Sequence, residues 1–248
     1  MKSLFSMFKP LNRLEKARLK WQGLQDIGEL PQVIERLGIT CWQENDFSLN
    51  EIDFLVLDFE TTGLSPKNDQ ILSIGYVELS DGALDLETCH ETYIKDSSGI
   101  NATTAIINHI TPEMLQQGQT LDCAMTALFE RMQGKVVLVH GLTVEKCFIE
   151  HYVQSRYGVT FPPILWLDTL LLEKSMAINM HNKEGDYRLS SIRERYGLPS
   201  YPCHGALIDA VATGELFLAM VKKMFGTEEL KLNKIYDANH FEMTVNHH

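Results

Sequence analysis

The sequence predicts an α/β domain on a mixed sheet. Two observations lead there. Three strand-like runs come first, joined by short polar turns, which makes them antiparallel neighbours. Apolar strand runs then alternate with amphipathic helices, the pattern of a sheet with helices packed against it. The strands are expected at Phe54 to Phe59, Ile71 to Leu79, Glu91 to Lys95, Val136 to His140 and Ile164 to Leu167.

In chain order, Asn12 to Leu24 sets Leu14, Ala17, Leu19 and Trp21 among Arg13, Lys16, Arg18 and Lys20, an amphipathic helix. Leu30 to Gly38 predicts a shorter helix, with Pro31 in its first turn and Gly38 at its stop. Further helices are expected over Ala102 to His109, Leu121 to Met132, Glu145 to Tyr157, Asp168 to Met176, Leu189 to Tyr196 and Ala206 to Met224. The second of these places Leu121, Met125, Leu128, Phe129 and Met132 on one face. The chain divides into an extension (1–50), a main domain (51–224) and a tail (225–248) without clear periodicity, either loose or covering a sheet edge. The extension either packs on the domain or docks a polymerase, another protein or nucleic-acid phosphates, since its basic residues stand out in an acidic chain.

With 248 residues, 44% of them hydrophobic, there is material for one sizeable core. A formal net charge of −11 argues against coating long duplex DNA by nonspecific attraction. It leaves room for an enzyme that draws one strand end into a metal-charged pocket. Five cysteines with no Cys-x-x-Cys pair argue against a disulfide framework or a zinc ribbon and suggest a reducing cytoplasm. No run reaches the length of a membrane span and no signal peptide is read, so a cytoplasmic protein without a membrane partner is expected.

The chemistry concentrates in three segments. At Phe54 to Leu64, an apolar run leads straight into Asp58 and Glu60. On a strand these two acids share a face and Phe59 points away. At about 4 Å and an effective dielectric near 20, two such charges repel by roughly 4 kcal/mol. A shared proton, a basic side chain or a divalent cation must offset that. The next basic residue along the chain is Lys67, which favours the cation. At Val137 to Glu145, a buried strand ends at His140-Gly141 and a helix starts, placing Glu145 by its positive N-terminus. At Cys203 to Ala210, His204 precedes a helix and Asp209 lies about one turn inside it, so both can face one cavity. Gly205, Ala206, Ala210 and Ala212 let that helix pack closely. Singly, each segment has a plainer reading: a solvated acidic turn, a first-turn Glu, a hydrogen-bonded His.

Together the segments resemble the DEDDh exonucleases, the ribonuclease H-like group containing the proofreading epsilon subunit of bacterial DNA polymerase III, ribonuclease T and oligoribonuclease. The resemblance spans roughly residues 53 to 222. Asp58-Phe59-Glu60-Thr61-Thr62-Gly63-Leu64 matches the first motif, and His204 with Asp209 the third. Asn108-His109-Ile110-Thr111 is similar to the family's His-Gly-Ile-Thr segment, Leu167-Asp168-Thr169-Leu170 to its Asp-Thr strand end, and Arg188 to Ile192 to its helix start before the third motif. The second motif departs: where the family has His-Asn and then Phe-Asp, this chain has His140-Gly141 and then Val144-Glu145.

The resemblance implies a ribonuclease H-like mixed five-stranded sheet flanked by helices, and a two-metal displacement at phosphorus. Asp58, Glu60, Glu145 and Asp209 would ligate two Mg²⁺ or Mn²⁺ ions, which oxygen-only ligation suits better than zinc. His204 would be the general base, its ordinary pKa near 6.5 suiting that role. Thr61, Thr62 and Gly63 would receive the terminal nucleotide, with Phe59 and His140 beside it and Leu64 as a wedge at its base. Phe148 either stacks on a base or packs in the core, and Asp168 is structural. The expected activity is metal-dependent 3′→5′ removal of nucleoside 5′-monophosphates from single-stranded DNA, in proofreading or repair. RNA or oligoribonucleotide trimming would use the same residues. The change to Glu145 prompts a third reading, a catalytically weakened nucleic-acid or polymerase binding module.

Overall fold

The computed structural model describes residues 10–38, 47–95, 110–179, 185–201, 205–226 and 231–239. The apolar run at Phe54 forms β1 (Phe54–Thr61), the middle strand of a five-stranded sheet. On one side β1 pairs antiparallel with β2 (Ile71–Ser80), which pairs antiparallel with β3 (Ala83–Tyr93). On the other it pairs parallel with β4 (Val136–Val139), which pairs parallel with β5 (Trp166–Asp168). The mixed sheet expected from the strand pattern is the sheet observed.

Helices cover both faces. α1 (Pro10–Asp26) and α2 (Gln32–Glu35) precede the sheet. α3 (Pro112–Gln116) and α4 (Leu121–Met132) join β3 to β4, and α5 (Thr143–Tyr157) joins β4 to β5. α6 (Thr169–Asn179), α7 (Leu189–Arg195), α8 (Ala206–Phe225) and α9 (Leu232–Asn239) follow. Leu55, Leu57 and Phe59 pack with Met125, Leu128 and Phe129 of α4 and Ile149 and Val153 of α5. Phe54 and Val56 pack on the opposite face with Leu216, Phe217 and Met220 of α8. Burial on both faces explains why β1 and β4 read as continuous apolar runs. Each fully buried side chain of this kind contributes about 1.5–3 kcal/mol.

The extension feeds the same core. Trp21 of α1, and Ile34 and Leu37 at α2, are buried in the cluster that holds α4 and α5.

Three expectations change. β3 starts at Ala83, well before Glu91. It is the outer edge strand, mostly solvent-exposed up to His90, so its first half carries no apolar signature. The overlooked signal is Asp81-Gly82: both have positive φ (50° and 73°) and link the paired Ser80 and Ala83, the two-residue hairpin that Asp-Gly favours. Second, only Gln32–Glu35 of the Leu30 to Gly38 stretch is helical. Third, the tail is ordered over 231–239. Leu232, Ile235 and Tyr236 of α9 are buried with the α8 face, and the Leu232 N–H donates to the Phe47 carbonyl (2.9 Å). Their i, i+3, i+4 spacing fits one helical face, but the helix is only eight residues long. The helix expected over Ala102 to His109 lies outside the described residues.

Candidate active site

Asp58 and Glu60 stand near the C-terminal end of β1, on the face that α8 covers, while Phe59 points into the opposite core. Their partners on β2 are small: Asp58 lies opposite Gly75 and Glu60 opposite Ser73. Gly75 is what lets α8 close on the sheet. A Cβ there would lie 2.1 Å from the Ala206 carbonyl carbon and the Leu207 nitrogen, so any side chain would push the helix start away. With that close approach, Asp209 in the first turn of α8 reaches the strand acids. Carboxylate oxygens of Asp58, Glu60 and Asp209 all lie within 4.8 Å of one another.

This gathering is electrostatically costly. Burial raises the Asp58 carboxyl well above its usual range, and the charges of Glu145, Asp209, Glu60 and Glu91 raise it further. Glu60 is pushed up to about 7, by burial first and then by Asp209 and Glu91. A divalent cation among these oxygens would reverse the balance, and the oxygen-only donor set fits a hard ion such as Mg²⁺ or Mn²⁺.

Glu145 arrives from the other side of β1, in the first turn of α5. It is buried, and its carboxyl is pushed up to about 8, chiefly by that burial. Its Oε2 has no hydrogen-bond partner among the described residues. It lies outside the close triple, though near enough for its charge to act on Asp58. The turn that carries it is held by Asp168. That carboxylate is buried and accepts from the backbone N–H groups of Gly141 (2.9 Å), Leu142 (2.9 Å) and Leu170 (2.8 Å). His140 is enclosed: Nδ1 lies 2.8 Å from Thr169 Oγ1 and Nε2 3.0 Å from the Tyr187 carbonyl. Burial lowers its pKa, against the charge of Asp168.

The structure thus brings Asp58, Glu60 and Asp209 together with Glu145 close by. Phe59 and Phe148 it buries in the core shared with α4 and α5. Thr61, Thr62, Gly63 and Leu64 run on from β1 beside the acids; the Thr61 hydroxyl donates to the Gly63 carbonyl (2.7 Å), and Leu64 is 80% exposed. His204 lies outside the described residues. One further acid beside the site has no signature of its own in the sequence. Glu91 of β3 sits directly across Gly75, in line with Asp58, and accepts from the Tyr93 hydroxyl (3.2 Å). Its signal was the Asp81-Gly82 turn, which shows that β3 runs back from there past Glu91.

The chain is similar to known exonucleases. The model for exonucleases of the RNase T type matches residues 55–217. The chain is 30% identical over 202 residues to DNA polymerase III PolC-type of Thermotoga petrophila, covering 82% of this chain and 14% of that protein. Against DNA polymerase III PolC-type of Staphylococcus haemolyticus it is 26% identical over 200 residues, covering 80% and 13%. The chain therefore spans about one seventh of the length of these curated relatives. Among solved structures, cell-death related nuclease 4 (CRN-4) superposes with a TM-score of 0.60 at 14% identity, covering 69% of this chain and 64% of that one. Exonuclease X in complex with 5′ overhanging duplex DNA gives 0.55 at 16% identity, covering 74% and 99%. E. coli Exonuclease I in complex with an oligonucleotide gives 0.56 at 17% identity, covering 75% and 42%. The fold is the ribonuclease H-like sheet of these nucleases.

Proposed function

We propose that this chain, which belongs to the DEDD-type 3′→5′ exonuclease family, removes nucleoside 5′-monophosphates one at a time from the 3′ end of single-stranded DNA. The observation that carries the reading is the convergence of Asp58, Glu60 and Asp209, from a strand and a distant helix, to within 4.8 Å. These carboxylates, helped by Glu145, would hold two Mg²⁺ or Mn²⁺ ions. When bound, such ions polarise the scissile phosphate and offset the charge that builds on it. The chain's own residues do the rest. His204, next to the Gly205 N-cap of α8, takes a proton from the attacking water on its imidazole. The water oxygen bonds to phosphorus, the bond from phosphorus to the 3′ oxygen breaks, that oxygen takes up a proton from solvent to become the new 3′-hydroxyl, and a nucleoside 5′-monophosphate leaves. The backbone of Thr61, Thr62 and Gly63 seats the terminal nucleotide, and Leu64 lies against its base. Asp168 positions Glu145 through the β4–α5 turn, and His140 braces the same turn from Thr169 and Tyr187.

Single-stranded DNA is favoured because solved relatives of this fold include an Exonuclease I complex with single-stranded DNA. A polymerase partner is suggested by the PolC-type relatives. On the extension, Lys16, Leu19, Lys20, Ile27 and Arg36 are among the exposed residues open to such a partner. A cytoplasmic setting is in keeping with this; no described helix is long and apolar enough to cross a membrane.

The test is incubation of the purified chain with a 5′-labelled oligonucleotide and Mn²⁺. The expected result is a ladder of products shortened from the 3′ end, release of 5′-mononucleotides, and arrest by EDTA. An intact oligonucleotide would overturn the proposal. Matched RNA and dinucleotides in the same assay separate DNA degradation from RNA trimming.

A further inference from the structure

The loop between β1 and β2 is closed by two side chains, Asp69 and Thr62. Asp69 Oδ1 accepts from the Thr62 hydroxyl (3.1 Å), and Oδ2 accepts from the Ser65 N–H (2.9 Å). Thr62 ties the loop from the other end: its N–H donates to the Gln70 carbonyl (2.9 Å), and its Oγ1 accepts from the Gln70 N–H (3.0 Å). The Ser65 carbonyl accepts from the N–H groups of Asn68 (2.9 Å) and Asp69 (2.8 Å). The Asp69 carboxylate lies directly over Gly63, where a Cβ would stand 2.6 Å from both oxygens. Only a residue without a side chain leaves room for it.

Leu64 sits between the two anchored points and is 80% exposed. A single exposed leucine is ordinary. This one is held on a fastened loop that begins at Thr62, two residues after Glu60. A nucleobase offers the apolar face that would cover it.

We propose that Asp69 is a positioning residue that latches the Thr62–Ser65 turn, so that Leu64 is set in place before the terminal nucleotide arrives. This rests on the nuclease reading and on the loop as the nucleotide seat. A loop already ordered has less freedom to lose on binding, so the latch acts mainly on substrate affinity.

The test is a double-mutant cycle in KM and kcat on an oligonucleotide, with Leu64→Ala, Asp69→Asn and the double variant, and Mn²⁺ affinity of each measured separately. Leu64→Ala is expected to raise KM roughly tenfold and Asp69→Asn roughly fivefold, with kcat moving less than about threefold. The double variant is expected to match Leu64→Ala alone, because the latch has nothing left to position. Thr62→Val, which keeps the shape and removes the hydroxyl, is expected to follow Asp69→Asn. Mn²⁺ affinity is expected within about twofold of the parent in all of them. Multiplying KM effects would overturn the latch, as would an unchanged KM in Asp69→Asn or a loss of Mn²⁺ binding that makes Asp69 a general scaffold residue. An unchanged KM in Leu64→Ala would instead refute the nucleotide seat itself and the latch with it.

Discussion

The two sides of the site are built differently. On one side, Asp58 and Glu60 from β1 meet Asp209 from α8, with oxygens within 4.8 Å and a close helix–strand approach at Gly75. On the other, Glu145 stands outside that triple, with one oxygen unpartnered among the described residues, at the start of a helix whose preceding turn is gripped by Asp168. The triple depends on backbone proximity, which a strand end and a small residue supply directly. The Glu145 side depends on a buried polar scaffold that must hold a longer acid in place. Damage to the triple should therefore abolish function, and damage to the Glu145 side should grade it.

The largest effect is expected from the triple. Asp209→Asn keeps shape and removes charge, and should lower the rate of oligonucleotide cleavage by about 10³-fold with the fold intact by circular dichroism. A rate near the parent's would mean that α8 does not contribute to the site. Next comes the approach that creates the triple. Gly75→Ala places a methyl against the backbone of Ala206 and Leu207. It should cost about 1–3 kcal/mol in thermal or denaturant unfolding and, by shifting Asp209, about 10²-fold in rate. Full activity there would show that α8 yields without moving its acid.

Much of this contrast was legible in the residues. The run from Phe54 to Glu60 announced a buried strand ending in paired acids, because an apolar run buried on both faces leaves little ambiguity. Leu121–Met132 declared its helix by a regular apolar stripe. The small residues around Ala206 signalled close packing, although the partner surface at Gly75 is a tertiary fact that no local pattern contains. Glu91 was hidden because an edge strand exposed to solvent lacks apolar alternation. The enclosure of His140 was hidden for another reason: its partners, Thr169 and the Tyr187 carbonyl, come from remote segments. α9 has a weak sequence signal, because only three buried side chains mark its short face.

A smaller effect should come from Glu145→Asp. Asp168 fixes the turn, so shortening the acid by one methylene draws its carboxylate back from Asp58. Cleavage should slow by roughly tenfold. A tenfold gain would instead show that the native acid weakens the site, and would favour the binding-module reading.

The smallest effect concerns stability without metal. Glu60 and Glu145 have folded pKa values of about 7 and about 8, against an ordinary 4.5. The folded state thus holds their protons more tightly than the unfolded chain does. That advantage is complete below about pH 4.5 and is lost as pH rises through about 8. In EDTA the melting temperature should fall between about pH 5 and about pH 8. Glu145→Gln should flatten part of that fall, and Mn²⁺ should raise the melting temperature most at the alkaline end. A melting temperature that climbs over this range in EDTA would contradict the buried-acid picture.

The most direct test of the account is Mn²⁺ binding itself, followed by calorimetry or electron paramagnetic resonance on the parent chain, Asp58→Asn and Asp209→Asn. Clear binding by the parent is expected, and at least about tenfold weaker binding by either variant. Equal affinity in all three would mean that β1 and α8 do not share a cation, and the central claim would fail.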